Sequence, residues 1–243
     1  MTSTSITWLI AHANVPTHDP CMKSPIHTVL FDLDGTLADT APDMAFALNT
    51  VREEIGLTAL PFSQIRPRVS HGATALVQLA LDEPHSERFA ALRTRFLEIY
   101  RNHLTRETRL FPGMDEVLSH IEQHNMKWGV VTNKPAWLTE PLLDQLGLTQ
   151  RAACIVSGDT TLQRKPHPAP MLYACEKSGS NSSHCLYIGD AQRDIEAGKN
   201  AGMHTLVALF GYIDVTDQPH LWNADAMIQH PREILEWIAA HSV

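Results

Sequence analysis

The chain has 243 residues, of which 44% are hydrophobic and 19% charged. That supports a buried core in one large domain or one and a half, and argues against a disordered chain. A formal charge of -8, from 27 acidic against 19 basic residues, excludes long-range attraction to nucleic acid or to an anionic membrane. No apolar run approaches the roughly 18 residues of a membrane-spanning helix.

The first 26 residues stand apart and are expected to be a flexible extension. Trp8 to Ala11 is a short apolar patch with no positive segment before it, so no signal peptide is expected. Met22 is a candidate start. The ordered pattern begins at His27. Thr28-Val29-Leu30-Phe31 reads as a buried strand running into the loop Asp32-Leu33-Asp34-Gly35-Thr36. Pro42 opens a helix in which Met44, Leu48, Val51 and Ile55 recur at helical spacing, and Gly56 is placed to end it. A second helix is predicted over Ala73 to Leu81. Ser86 can cap a third, striped by Phe89, Leu92, Phe96 and Ile99. With no strand expected between them, residues 42–108 read as a helical cap inserted between two parts of a core, 27–41 and 109–243.

Beyond Pro112-Gly113 helices and strands alternate. Helices are predicted at 114–124, 136–146, 168–177, 193–201 and 231–240. Strands are predicted at 127–132, 153–157, 185–189 and 204–209, with a short apolar segment at 226–228. That alternation predicts an α/β fold with a doubly wound parallel sheet. In such sheets ligands bind outside the carboxyl ends of the strands. Asp32 to Thr36, Thr132-Asn133-Lys134 and Gly189-Asp190 all fall at such ends, and Lys165 follows the 153–157 strand after a loop.

Cys21, Cys154, Cys175 and Cys185 show no CxxC spacing. They read as reduced, mostly buried thiols of a cytoplasmic protein. The fourteen histidines are scattered singly without metal-ligand spacing, and none is assigned to a metal.

Asp32, Asp34, Asp190 and Asp194 are expected to converge. Crowded like charges need a neutralising cation, and hard carboxylate oxygens suit Mg2+. Lys165 adds a second cation for a phosphoryl group, and Thr132 and Asn133 can donate hydrogen bonds to its oxygens. The backbone N–H groups from Leu33 to Thr36 can do the same. Asp32 is placed to attack phosphorus. Asp34, two residues on in an extended segment, shares its side and can serve as acid and then base. The expected partner is a small phosphate monoester. Oligomeric state has no sequence signature here.

Asp32-Leu-Asp-Gly-Thr, Thr132, Lys165-Pro166 and Gly189-Asp190-Ala-Gln-Arg-Asp194 resemble, in order, the four motifs of the haloacid dehalogenase-like hydrolase superfamily. The resemblance runs from about residue 27 to 240. Within the superfamily the chain looks like the phosphoglycolate phosphatase group, and more narrowly like bacterial N-acetylmuramic acid 6-phosphate phosphatases. The carrying residues include Gly129-Val-Val-Thr-Asn-Lys-Pro135, Asp194-Ile-Glu-Ala-Gly198 and Gly211-Tyr212-Ile213. The cap loop Arg66-Pro-Arg-Val-Ser-His71-Gly72 departs from that pattern.

The resemblance implies a nucleophile at Asp32 and an acid/base at Asp34. It implies Mg2+ on the Asp32 carboxylate, the Asp34 main-chain carbonyl and the Asp190 carboxylate, with Asp194 acting nearby through water. Thr132 and Lys165 would bind phosphate, and the helical insertion would be a mobile cap. A dehalogenase has no use for Asp34. A phosphomutase and a phospho-accepting signalling module remain as alternatives. Asn133 serves equally well as a cap for the helix after it. Lys134, Arg66, Arg68 and His71 read as surface groups, with Lys134 alternatively acting at one remove from the site and one of the other three alternatively reading the leaving group of the substrate. Tyr212 and Trp222 read as core, with the mouth of the site as the alternative.

Overall fold

The computed structural model describes residues 25–80 and 88–241. Trp8 to Ala11, Cys21, Met22 and Ser86 lie outside the described residues. Among those residues, six short strands pair side by side in parallel: β1 (Thr28–Phe31), β4 (Lys127–Val131), β5 (Cys154–Val156), β6 (Cys185–Gly189), β7 (His204–Ala208) and β8 (Ala226–Ile228). Their order is β5-β4-β1-β6-β7-β8. Each parallel crossover needs a helix, and the chain supplies α5 (Met114–Gln123), α6 (Ala136–Gln145), α7 (Ala169–Ser178) and α8 (Gln192–Asn200), with α9 (Glu233–Ala240) closing it. This is the doubly wound α/β sheet that the alternation predicts.

The strands are apolar on both faces because both faces are covered. Along β1, Val29 and Phe31 enter one core cluster and Leu30 the other. Leu186 and Ile188 of β6 follow Val29 and Phe31, while Cys185 and Tyr187 follow Leu30. Ile26, just ahead of β1, is buried in the first cluster. Phe31 pairs with Val130 on one side and Ile188 on the other, so the residues just past these strands emerge at one edge. Chain order reverses around β1, which makes this edge the expected ligand crevice.

Between β1 and β4 the described chain is mainly helical: α1 (Ala41–Glu54), α2 (Phe62–Ile65), a 3-10 stretch Arg66–His71, α3 (Gly72–Ala80) and α4 (Phe89–Arg101). Pro42 lies in the first turn of α1, and Gly56 follows its end at φ +80. The sequence does not predict the ribbon of β2 (Ala38–Asp39) and β3 (Arg109–Leu110), which pair antiparallel where the chain enters and leaves the helices. Two residues are too few to show a period. Asp43, fully buried, reinforces the junction by accepting from the Glu107 and Thr108 amides and the Thr108 hydroxyl.

Candidate active site

The loop after β1 is set by hydrogen bonds within Asp32 to Ala38, including Gly35 N–H to the Ala38 carbonyl at 3.1 Å. Gly35 sits at φ +83, where a side chain is strained. A Cβ there would also run into the Asp190 carboxylate. The Asp32 amide donates to the Ile188 carbonyl of β6 at 2.9 Å, which fixes the start of the loop against the neighbouring strand.

Asp32, Asp190 and Asp194 converge. All three are buried, and each offers an oxygen within 4.8 Å of the others. Lys165 approaches from the β5–α7 connection. Its ammonium donates to Asp32 Oδ1 at 2.8 Å, the Val131 carbonyl at 2.8 Å and the Tyr187 hydroxyl at 2.7 Å. Asp194 Oδ1 lies 2.7 Å from the same nitrogen, so one buried ammonium faces both carboxylates. Asp194 Oδ2 accepts from the Ala191 amide at 3.1 Å, at the start of α8.

The charges settle unevenly. Burial pushes the Asp32 carboxyl up, but Lys165 and Arg193 outweigh it and hold the group below the usual carboxylate range. For Asp194 burial prevails over Lys165, and the carboxyl is raised. Asp190 is pushed up to about 7 by burial and by the charges of Asp32 and Asp194. Its Oδ2 accepts from the Ser70 hydroxyl at 2.7 Å and the Tyr212 amide at 2.8 Å. Its Oδ1 is buried with no hydrogen-bond partner among the described residues. An orphaned carboxylate oxygen facing two further acids is a seat for a hard divalent cation.

Asp34 stands apart from the trio. Its Oδ1 accepts from the Thr40 hydroxyl at 2.7 Å and from the Lys134 ammonium at 2.8 Å, and its Oδ2 is 3.1 Å from that ammonium. Lys134 is not a surface lysine: it is 7% exposed and also donates to the Tyr100 hydroxyl at 2.9 Å. Thr132 is buried, and its hydroxyl oxygen accepts from the Lys134 amide. The Asn133 amide clamps the Lys165 main chain, accepting from its N–H at 3.1 Å and donating to its carbonyl at 3.0 Å. It does not cap α6, whose first N–H instead donates to Asp159 Oδ1. Asn133 thereby helps to place Lys165.

A cavity of about 550 Å3 lies between this sheet edge and the helices. Asp32, Asp34, Thr132, Asn133 and Lys134 line it from the sheet side, and Val69 to Thr74, Arg93, Phe96, Leu97 and Tyr100 from the helices. Lys165 and Asp190 are not part of its lining. Three residues of the 3-10 stretch, with Arg193 of α8, tie the helices to the core. Arg66 donates to the Phe210 and Gly211 carbonyls, Arg68 pairs with Asp214, Ser70 bonds to Asp190, and Arg193 donates to the Ser70 carbonyl at 2.7 Å. Burial works against the Arg193 charge, and the three carboxylates outweigh it. Tyr212 is core, as expected, but its hydroxyl also accepts from the Thr40 and Ala41 amides and donates to Asp39. Trp222 packs against Ile195 and Val207.

Ser70, Arg193 and Tyr100 escape a sequence reading because their partners are remote. Only Arg193 carries a local signal, lying between two motif aspartates.

Comparison with known proteins agrees with this geometry. A family model described as haloacid dehalogenase-like hydrolase matches residues 29–208. A phosphoglycolate phosphatase of Xanthomonas campestris pv. campestris (strain 8004) is 42% identical over 215 residues, covering 88% of this chain and 97% of that protein. An N-acetylmuramic acid 6-phosphate phosphatase of Pseudomonas putida is 42% identical over 210 residues, covering 86% and 94%. The crystal structure of a predicted phosphoglycolate phosphatase from Haemophilus somnus 129pt superposes with a TM-score of 0.78 at 28% identity, covering 87% of this chain and 97% of that one. With four motifs gathered at one sheet edge and a family model spanning most of the fold, the chain belongs to the haloacid dehalogenase-like hydrolases, a family of enzymes in which its relatives are phosphatases.

Proposed function

We propose that the protein is a Mg2+-dependent phosphatase that hydrolyses a small phosphate monoester through a phosphorylated Asp32. The observation that carries this is the cavity-facing Asp32, kept ionised by Lys165 and set beside the partnerless Asp190 Oδ1. Asp32 and Asp190 would hold the cation, together with the Asp34 main-chain carbonyl, with Asp194 acting nearby through water. When bound, Mg2+ supplies positive charge against the phosphoryl oxygens and offsets the crowded carboxylates.

Asp32 Oδ1 is engaged by Lys165, which leaves the other carboxylate oxygen as the attacking atom. Attack forms the Asp32–phosphorus bond and breaks the ester bond. Asp34 gives its proton to the departing alkoxide, then takes one from the water that cleaves the intermediate. Lys134 and Thr40 hold Asp34 at the cavity wall for both transfers. Thr132 and the Leu33 and Asp34 amides donate to the phosphoryl oxygens, the Gly35 and Thr36 amides being taken up within the loop. The helices over 42–108 act as a cap that excludes water from the intermediate. Buried free thiols at Cys154, Cys175 and Cys185 suit a reducing, cytoplasmic setting.

The relatives suggest phosphoglycolate or N-acetylmuramic acid 6-phosphate as substrate. Cavity size supports the larger: 550 Å3 would leave a two-carbon ester surrounded by many waters, at about 30 Å3 each. The test is phosphate release from both esters in Mg2+, in EDTA and with Asp32→Asn. Release that needs both the metal and Asp32 is expected. Full activity of the variant, or in EDTA, overturns the mechanism.

A further inference from the structure

The cavity wall carries more positive charge than chemistry at Asp32 requires. Arg93 of α4 and Arg164, just ahead of Lys165, both line it. Arg93 makes no hydrogen bond or ion pair with the described residues, whereas Arg95, two positions on, is doubly bonded to Glu54. Arg164 donates through Nε to the Gly158 carbonyl at 2.7 Å and leaves its outer N–H groups without partners among the described residues. The carboxylates on the described wall are Asp32 and Asp34, each already matched by a buried lysine. A lone exposed arginine needs no explanation. Two without a carboxylate partner among the described residues, from elements far apart in sequence, on one cavity of a protein with net charge -8, do.

We propose that Arg93 and Arg164 bind a carboxylate on the leaving-group portion of the substrate, a specificity device that rests on the phosphatase reading above. A guanidinium presents a planar fork that matches a carboxylate with two parallel hydrogen bonds. Arg93 sits on the helical side and Arg164 on the sheet side, so an anion between them is gripped from both walls. Trp137, exposed at the same cavity, offers a flat apolar face to the body of the ester.

The test uses pairs of esters that differ in the carboxylate: N-acetylmuramic acid 6-phosphate against N-acetylglucosamine 6-phosphate, and phosphoglycolate against 2-hydroxyethyl phosphate. The quantity read is the ratio of kcat/KM within each pair. Charge-assisted hydrogen bonds of this kind are worth about a factor of ten or more. The wild-type ratio is therefore expected to favour the acid at least tenfold in one pair. Arg93→Gln and Arg164→Gln should each lower that ratio about tenfold, chiefly through KM, with partial return in Arg93→Lys. An unchanged ratio, an equal fall for both members of a pair, or a stronger preference for a sugar bisphosphate overturns the proposal. Failure to release phosphate from p-nitrophenyl phosphate would instead overturn the phosphatase reading. Calorimetry of the acidic ester binding to Asp32→Asn protein then decides the carboxylate site alone: a tenfold loss of affinity on adding Arg93→Gln supports it, and no loss refutes it.

Discussion

Replacing Asp190 by asparagine should stabilise the metal-free protein at neutral and alkaline pH. The carboxyl is fully buried and pushed up from an ordinary 3.8 to about 7. A carboxyl raised in the folded state holds its proton there while the unfolded chain has lost it. Stability therefore falls as pH climbs from about 4 to about 7, and the loss is complete above 7. Three pKa units correspond to about 4 kcal/mol. Asparagine removes that ionisation, while its oxygen can still accept from Ser70 and the Tyr212 amide. In EDTA at pH 8 the variant should exceed wild type by about 4 kcal/mol, or roughly 10 °C in Tm for a chain of this size, and the gap should close towards pH 4. Excess Mg2+ should raise the wild-type Tm and leave the variant nearly unmoved, because binding stabilises only the form that binds. Urea or thermal unfolding across pH 4–8, with EDTA and with Mg2+, reads all of this. A variant no more stable than wild type in EDTA at pH 8 would refute the account of Asp190 as a strained carboxylate awaiting a cation.

Two further substitutions probe the supports around the site. Lys134→Met removes the cation from Asp34, and kcat should fall at least tenfold with a smaller change in KM; steady-state kinetics showing an unaltered kcat would mean that the ion pair does not place the acid. Tyr212→Phe leaves the Thr40 and Ala41 amides and the Asp39 carboxylate without their shared hydroxyl. At about 1–3 kcal/mol for each buried unsatisfied donor, urea unfolding should show a loss of roughly 2–4 kcal/mol.

The sheet was legible because its signal is local. The predicted 28–31 strand is β1 to the residue, and the strands and helices after Pro112 fall within about two residues of their observed bounds. Short polar runs at strand ends marked the edge where Asp32, Asp190 and Lys165 meet. Supports of the site were not legible in the same way. Lys134 lies 100 positions from Asp34, Ser70 lies 120 from Asp190, and Arg193 lies 123 from Ser70. No periodicity links such pairs, and a lysine after a strand is by composition a surface residue. The 3-10 stretch Arg66–His71 reads as a loop because its order comes from contacts with the core rather than from an apolar stripe.

Gly35 shows how a short motif can record a distant neighbour. The left-handed turn would be reason enough for a glycine, but the missing side chain is also the room into which Asp190 fits, and Gly211 leaves further space for the same aspartate. Two bare backbone positions thus form a socket sized for one carboxyl group reaching in from another strand. The glycine of an Asp-Gly-Thr signature, read locally, describes a bend; read in three dimensions, it is the mould of a side chain more than 150 positions away.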